Sequence, residues 1–107
     1  MTQEPVVVVI HYQAQPAEST RAITELRALI REVVALEPDC LGIRLHVDAG
    51  DPSRIMLYER WTSQAAYAGP HMQTPHLGAF IAKAGEFLAG PPSIEYWRLT
   101  DDVAPGE

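Results

Sequence analysis

Cysteine is nearly absent. Cys40 stands alone among 107 residues, so no internal disulfide can form; the expected setting is a reducing, cytoplasmic one, with Cys40 a small buried hydrophobe. Basic residues are also few. Seven Arg and a single Lys are scattered among fourteen carboxylates, giving a formal charge of -6 and a pI near 5.1. That balance leaves no positive patch to neutralise phosphates, so nucleic acid is not an expected partner. Long apolar runs are missing as well. Val6 to Ile10 is far too short to span a bilayer, and MTQEP before it carries no basic leader, so no membrane partner is expected either. The chain also lacks a phosphate loop, a dinucleotide-binding GxGxxG, HExxH, a paired CxxC and GxSxG, which removes the familiar catalytic signatures from consideration.

What is present suits one globular core. The hydrophobic content is 47%, and the expected division is a single domain over residues 1–100 followed by a polar tail, 101–107. PVVVVIHYQAQ is a continuous β-branched run bounded by Pro5 and Pro16, which predicts a strand over about Val6 to Gln13 with both faces covered. From Pro16 onward Ala22, Ile23, Leu26, Leu29, Ile30, Val33 and Leu36 recur at three and four, predicting an amphipathic helix that Glu37-Pro38 ends. CLGIRLHVDAG then alternates, with Leu41, Ile43, Leu45 and Val47 on one side. After an AGDPS turn, RIMLYERW places Ile55, Leu57, Glu59 and Trp61 on one face and Met56, Tyr58 and Arg60 on the other. HLGAFIAKAGEFLAG has helical spacing, and PPSIEYWRLT supplies a last strand.

The order β-α-β-β-α-β predicts an α+β, ferredoxin-like fold: a four-stranded antiparallel sheet with its helices on one face. The other face should then be polar, yet strand one is apolar on both sides and Met56, Tyr58, Tyr96 and Trp97 are large groups to leave in water. A second copy of the chain, making a homodimer, would cover them.

WTSQAAYAGPHMQTPHLGAF, Trp61 to Phe80, is the richest stretch chemically. Thr62 or Ser63 can cap a short helical turn to Ala68, after which Gly69-Pro70 and Thr74-Pro75 break the helix. Such breaks let Tyr67, His71 and His76 be directed into a gap over the sheet; the plainer alternative is a core Trp, a rim Tyr and two surface His. The four histidines include no i,i+4 pair on a clear helix, so no metal is expected. Glu59, on a face otherwise made of Ile, Leu and Trp, is either a carboxylate held by a partner such as an Arg or a site residue.

The segment EPDCLGIRLHVDAGDPSRIMLYERWTSQAAYAGPHMQTPHLGAF combines an acidic-Pro turn, a hairpin, E-x-W, and then H-x-x-x-P-H followed by a hydrophobic and an aromatic. In this it resembles the antibiotic biosynthesis monooxygenase family of dimeric α+β barrels. The resemblance implies the same fold and homodimer. It further implies oxygenase chemistry on quinols or anthrone-type polyketides, with neither metal nor flavin. On that basis Trp61 matches the E-x-W tryptophan, His71 the histidine ten residues on, and Tyr67 a tyrosine proposed as a substrate contact in the polyketide branch. A haem-degrading branch of the family needs an Asn on strand one, and this chain has no Asn. The polyketide branch carries an Asn and an Arg where Leu57 and Ile81 stand here, and Asp39 replaces the usual Gly of the turn before strand two.

The expected activity is thus a cofactor-independent monooxygenase acting on a small aromatic substrate and O2. His71 would be the base, with Tyr67 O–H and Trp61 N–H as donors to the substrate oxygen. His76, Glu59, Leu57 and Phe80 would line the substrate site, with His76 a second base or a wall. Two other classes remain open: a dimeric protein that only binds a small aromatic, and an isomerase or cyclase of a polyketide-like substrate.

Overall fold

The computed structural model describes residues 4–106. Strand β1 (Val6–Gln13) leads into helix α1 (Ser19–Leu36), then β2 (Cys40–Asp48), β3 (Asp51–Trp61), the short helix α2 (Gln64–Ala68), a 3-10 turn (Pro70–Gln73), helix α3 (Pro75–Ala84) and β4 (Ser93–Trp97). The strands pair antiparallel in the order β2-β3-β1-β4. This is the predicted ferredoxin-like α+β plan.

Register decides which side chains share a face. Val6, Val8, Ile10 and Tyr12 stand opposite Trp61, Glu59, Leu57 and Ile55. Since side chains alternate along a strand, these form one inner row, and Val7, Val9 and His11 with Arg60, Tyr58 and Met56 form the outer one. The helices cover the inner side. Ala22, Leu26, Leu29 and Val33 of α1 join Leu77 and Phe80 of α3 in a core with Val8, Ile10, Ile55 and Leu57.

Several local expectations shift. The first helix begins at Ser19, because Pro16 and Ala17 form a turn in which Ala17 takes a φ of 66°. The hairpin turn is tighter than AGDPS, β3 already starting at Asp51. The second helix is shorter than its periodicity suggested, ending at Ala84 with Gly85 as its C-cap. Leu41 leaves the face of Ile43, Leu45 and Val47: an irregularity between Cys40 and Gly42, with Gly42 at φ 146°, turns Cys40 inward and exposes Leu41. Tyr96 is likewise not on the open face. It pairs with Val8 and meets the Tyr67 ring edge-on at 5.9 Å, so it belongs to the helix-covered side, while its neighbour Trp97 points outward beside Val7 and Val9.

Candidate functional site

Between the sheet and the helices lies a cavity of about 380 Å³ with mostly apolar walls. Tyr12 of β1, Leu57 and Glu59 of β3, Tyr67 of α2, His71 of the 3-10 turn and Phe80 of α3 all contribute to its lining. Five of the seven predicted site residues therefore meet there. Trp61 and His76 do not line it: Trp61 packs behind His71, and His76 is bound to Glu37, which in turn holds His71.

Three prolines place the polar side of the site. Pro38 forces Glu37 into extended backbone (φ -115°, ψ 100°) just as α1 ends. Pro70 starts the 3-10 turn that holds His71, and Pro75 is the first residue of α3, followed by His76. Ser63 caps α2 as expected, its hydroxyl accepting from the Ala66 N–H at 3.0 Å. The result is a buried cluster in which one carboxylate serves two imidazoles. His71 Nδ1 lies 3.0 and 2.9 Å from the two oxygens of Glu37, and His76 Nε2 lies 2.6 Å from the second of them. An ionised carboxylate only accepts, so Nδ1 of His71 is the donor to Glu37 and Nε2 is the ring nitrogen that Glu37 leaves free.

His71 also stacks on Tyr67, with ring centres 5.1 Å apart and planes inclined by 28°, and sits 4.7 Å from Trp61. The Trp61 N–H is not free for a ligand. It donates to Glu59 at 2.9 Å, a bond that follows from the two residues being two apart on one strand face. So the partner that Glu59 called for is an indole, and the donor role expected of Trp61 toward substrate is taken by a carboxyl group within the chain.

Among the described residues, every side-chain nitrogen or oxygen that is out of reach of solvent has a hydrogen-bond partner. Nε2 of His71, the second oxygen of Glu59 and the hydroxyls of Tyr12 and Tyr67 make no hydrogen bond within the described chain, yet all belong to cavity-lining residues. These four unpartnered atoms are the side-chain polar groups that the lining residues have free for a ligand. Burial raises both tyrosine hydroxyls well above the ordinary range, and the neighbouring Glu59 adds to this, so both are donors at neutral pH. Burial likewise pushes Glu59 up to about 7; the Trp61 hydrogen bond opposes this and the charge of Glu37 adds to it. Burial also pushes the Cys40 thiol up to about 11, where it is no nucleophile at neutral pH.

Two members of the site were not anticipated. Tyr12 shares its face with Val8 and Ile10, a parity that was present in the sequence but hidden by a strand apolar on both sides. Glu37 lies 34 residues from His71, and only the folded chain brings them together.

Comparison with known proteins identifies the family and the fold. Residues 5–83 match the family model described as antibiotic biosynthesis monooxygenase. The chain belongs to this family. Solved structures share the fold along nearly its whole length. One is PA3566 from Pseudomonas aeruginosa, at 25% identity with a TM-score of 0.82, covering 94% of this chain and 99% of that one. Another is Rv0793 from Mycobacterium tuberculosis, at 25% identity and a TM-score of 0.79, covering 94% and 100%. A Caulobacter crescentus CB15 protein provisionally assigned as an antibiotic biosynthesis monooxygenase is 28% identical, with a TM-score of 0.82 and 92% of both chains covered. No curated protein matches the chain. No helix among the described residues is long and apolar enough to cross a membrane.

Proposed function

We propose that this family member is a cofactor-independent monooxygenase that oxidises an electron-rich aromatic, a quinol or an anthrone-type phenol, with dioxygen. The observation that carries the reading is the Glu37–His71 pair, which leaves an imidazole lone pair at the wall of a largely apolar, aromatic-lined cavity. Triplet oxygen reacts slowly with closed-shell molecules, but a phenolate or enolate can pass it one electron and recombine with the radical so formed. The substrate thereby supplies the electrons, and the protein has to take a proton, hold an oxyanion and keep water away.

Nε2 of His71 accepts the proton, and Glu37 stabilises the imidazolium from the other side of the ring. Tyr67 donates to the substrate oxyanion, with Tyr12 as a second donor. Leu57, Phe80 and Glu59 contact the substrate. Trp61 acts one step back, packing against His71 and holding Glu59, and His76 holds the Oε2 of Glu37 that His71 also meets. The test is oxygen uptake by purified, metal-free protein over a panel of hydroquinones and anthrones, in air and under argon. Oxygen-dependent turnover that His71→Ala abolishes supports the reading. Turnover under argon would make the protein an isomerase or cyclase instead, and saturable binding without turnover would make it a carrier.

The active form in this reading is a homodimer. Val9, Met56 and Tyr58 on the outer row, with Trp97 at 57% exposure, form an apolar face that the chain's own helices do not cover. Light scattering coupled to gel filtration should give twice the chain mass at micromolar concentration; a monomer would overturn this part.

A further inference from the structure

Resting on the oxygenase reading above, we propose that Glu59 is the acid of the second half of the reaction: it protonates the peroxide formed when the substrate captures dioxygen, then takes the last proton from the carbon bearing that peroxide. Two positions need a proton partner after oxygen capture, the peroxide and the remaining C–H, and a second acid on the same cavity lets His71 keep its proton for the departing hydroxide.

The placement of Glu59 suits the task. It stands in the inner row of β3 between Leu57 and Trp61, opposite Val8 and Ile43, and is almost wholly buried. One oxygen is fixed by the Trp61 N–H at 2.9 Å, which leaves the other to face the cavity. The titratable groups coupled to it are Glu37 at the end of α1, Tyr12 of β1, Cys40 of β2 and Tyr67 of α2, and His71 of the 3-10 turn lines the same cavity. No Arg or Lys is among the described residues lining the cavity. A carboxyl so placed, buried and without a cation beside it, is pushed toward its protonated form, whereas His71 presents the ring nitrogen that Glu37 leaves free. Two groups on one cavity with opposite tendencies are the arrangement that acid and base roles require.

The steps balance. His71 removes one proton from the reacting carbon, directly or through its enol. The electron pair left behind forms a C–O bond to dioxygen, reducing it to a peroxide anion, which takes the proton of Glu59. The Glu59 carboxylate then removes the remaining hydrogen of that carbon as a proton. The C–H electron pair becomes the second bond of a new carbonyl, the O–O bond breaks, and the departing hydroxide takes the proton held on His71. The sum is CH2 + O2 giving C=O + H2O, with dioxygen as oxidant and both side chains returned to their starting states.

Glu59→Gln tests the assignment, since its amide oxygen can still accept from Trp61 while the acidic proton is gone. With an anthrone as substrate, the variant should still capture oxygen in a single turnover but convert the adduct to quinone roughly 100-fold more slowly. A substrate hydroperoxide, seen as a mass increase of two oxygens and by a peroxide-sensitive dye, should accumulate. Quinone formation at the wild-type rate without peroxide would overturn the proposal. If wild-type protein consumes no oxygen with any substrate of the panel, the oxygenase reading itself falls and this role with it. Should the variant not fold, difference infrared spectroscopy of the wild type decides. A protonated-carboxyl band that vanishes as pH rises through about 7 supports the assignment, and a carboxylate already ionised well below neutrality overturns it.

Discussion

Helix α1 crosses the sheet in eighteen unbroken residues and turns Ala22, Leu26, Leu29 and Val33 toward it, whereas Gln64 to Ala84 crosses the same face in three pieces separated at Gly69-Pro70 and Thr74-Pro75. A regular helix repeats one stripe, so each turn of α1 delivers another apolar group and the body of the helix brings no charged or hydroxyl group to the cavity. The broken run resets its direction at each interruption. Tyr67 and His71 then reach the cavity from separate pieces, while Leu77 and Phe80 of the third piece still close the core. Continuity serves cover, and interruption serves presentation of polar groups.

Substitutions in the two layers should therefore separate activity from stability. His71→Ala, in the broken run, should lower turnover by about 10²- to 10⁴-fold, measured as oxygen uptake with the best hydroquinone or anthrone. Leu26→Ala, in the continuous helix, should cost about 2–5 kcal/mol of stability in urea melts and leave turnover per folded molecule unchanged. If Leu26→Ala disturbed turnover as strongly as His71→Ala, the division of labour would be wrong.

A third difference is one of pH. Glu59 titrates at about 7 in the folded chain against an ordinary 4.5. Between those values the folded state holds a proton that the unfolded state has lost, so stability falls as pH rises. Below 4.5 both states are protonated and the penalty vanishes. The full effect is about 3 kcal/mol, and urea midpoints of Glu59→Gln should be flatter than those of the wild type over that window.

The smallest effects come from two glycines of the broken run and have opposite signs. A Cβ at Gly69 would sit 2.9 Å from the Ala65 carbonyl oxygen, so Gly69→Ala should destabilise by about 1–3 kcal/mol. Gly78, inside α3, has open space there, and Gly78→Ala should stabilise by about 0.5–1 kcal/mol. Thermal melts of the two variants check this pair.

How much of this could be read beforehand followed the range of each interaction. The stripe of α1, the β-branched run of β1 and the Ser63 cap are local patterns, and they were legible. Glu59 could be picked out because a carboxylate on an apolar strand face is anomalous by itself. Its bond to Trp61 was equally within reach, since residues two apart on a strand share a face. Leu41 and Tyr96 fall on the other side from the expected one: parity is lost at the bulge after Cys40, and Tyr96 cannot share the face of its neighbour Trp97, since the alternation Ser93, Ile94, Glu95, Tyr96 sets it with Ile94. Glu37 looked like a helix terminator and nothing more. Its role depends on His71 and His76, 34 and 39 residues away, and no local pattern carries that distance.

The hydrogen bond from Trp61 to Glu59 has a spectroscopic consequence. The protein has two tryptophans, and they report opposite environments: Trp61 is 1% exposed and Trp97 57%. In the separated chain an aqueous quencher such as iodide should silence Trp97 first, whereas in the homodimer the second copy would shield it; either way Trp61 emits from an indole whose N–H is bound to Glu59 and whose ring lies against His71. Ionising Glu59, protonating His71 or filling the cavity would each alter the colour and intensity of that emission. The fold thus contains an intrinsic fluorophore through which the proton state of its own cavity can be followed by light, without any label.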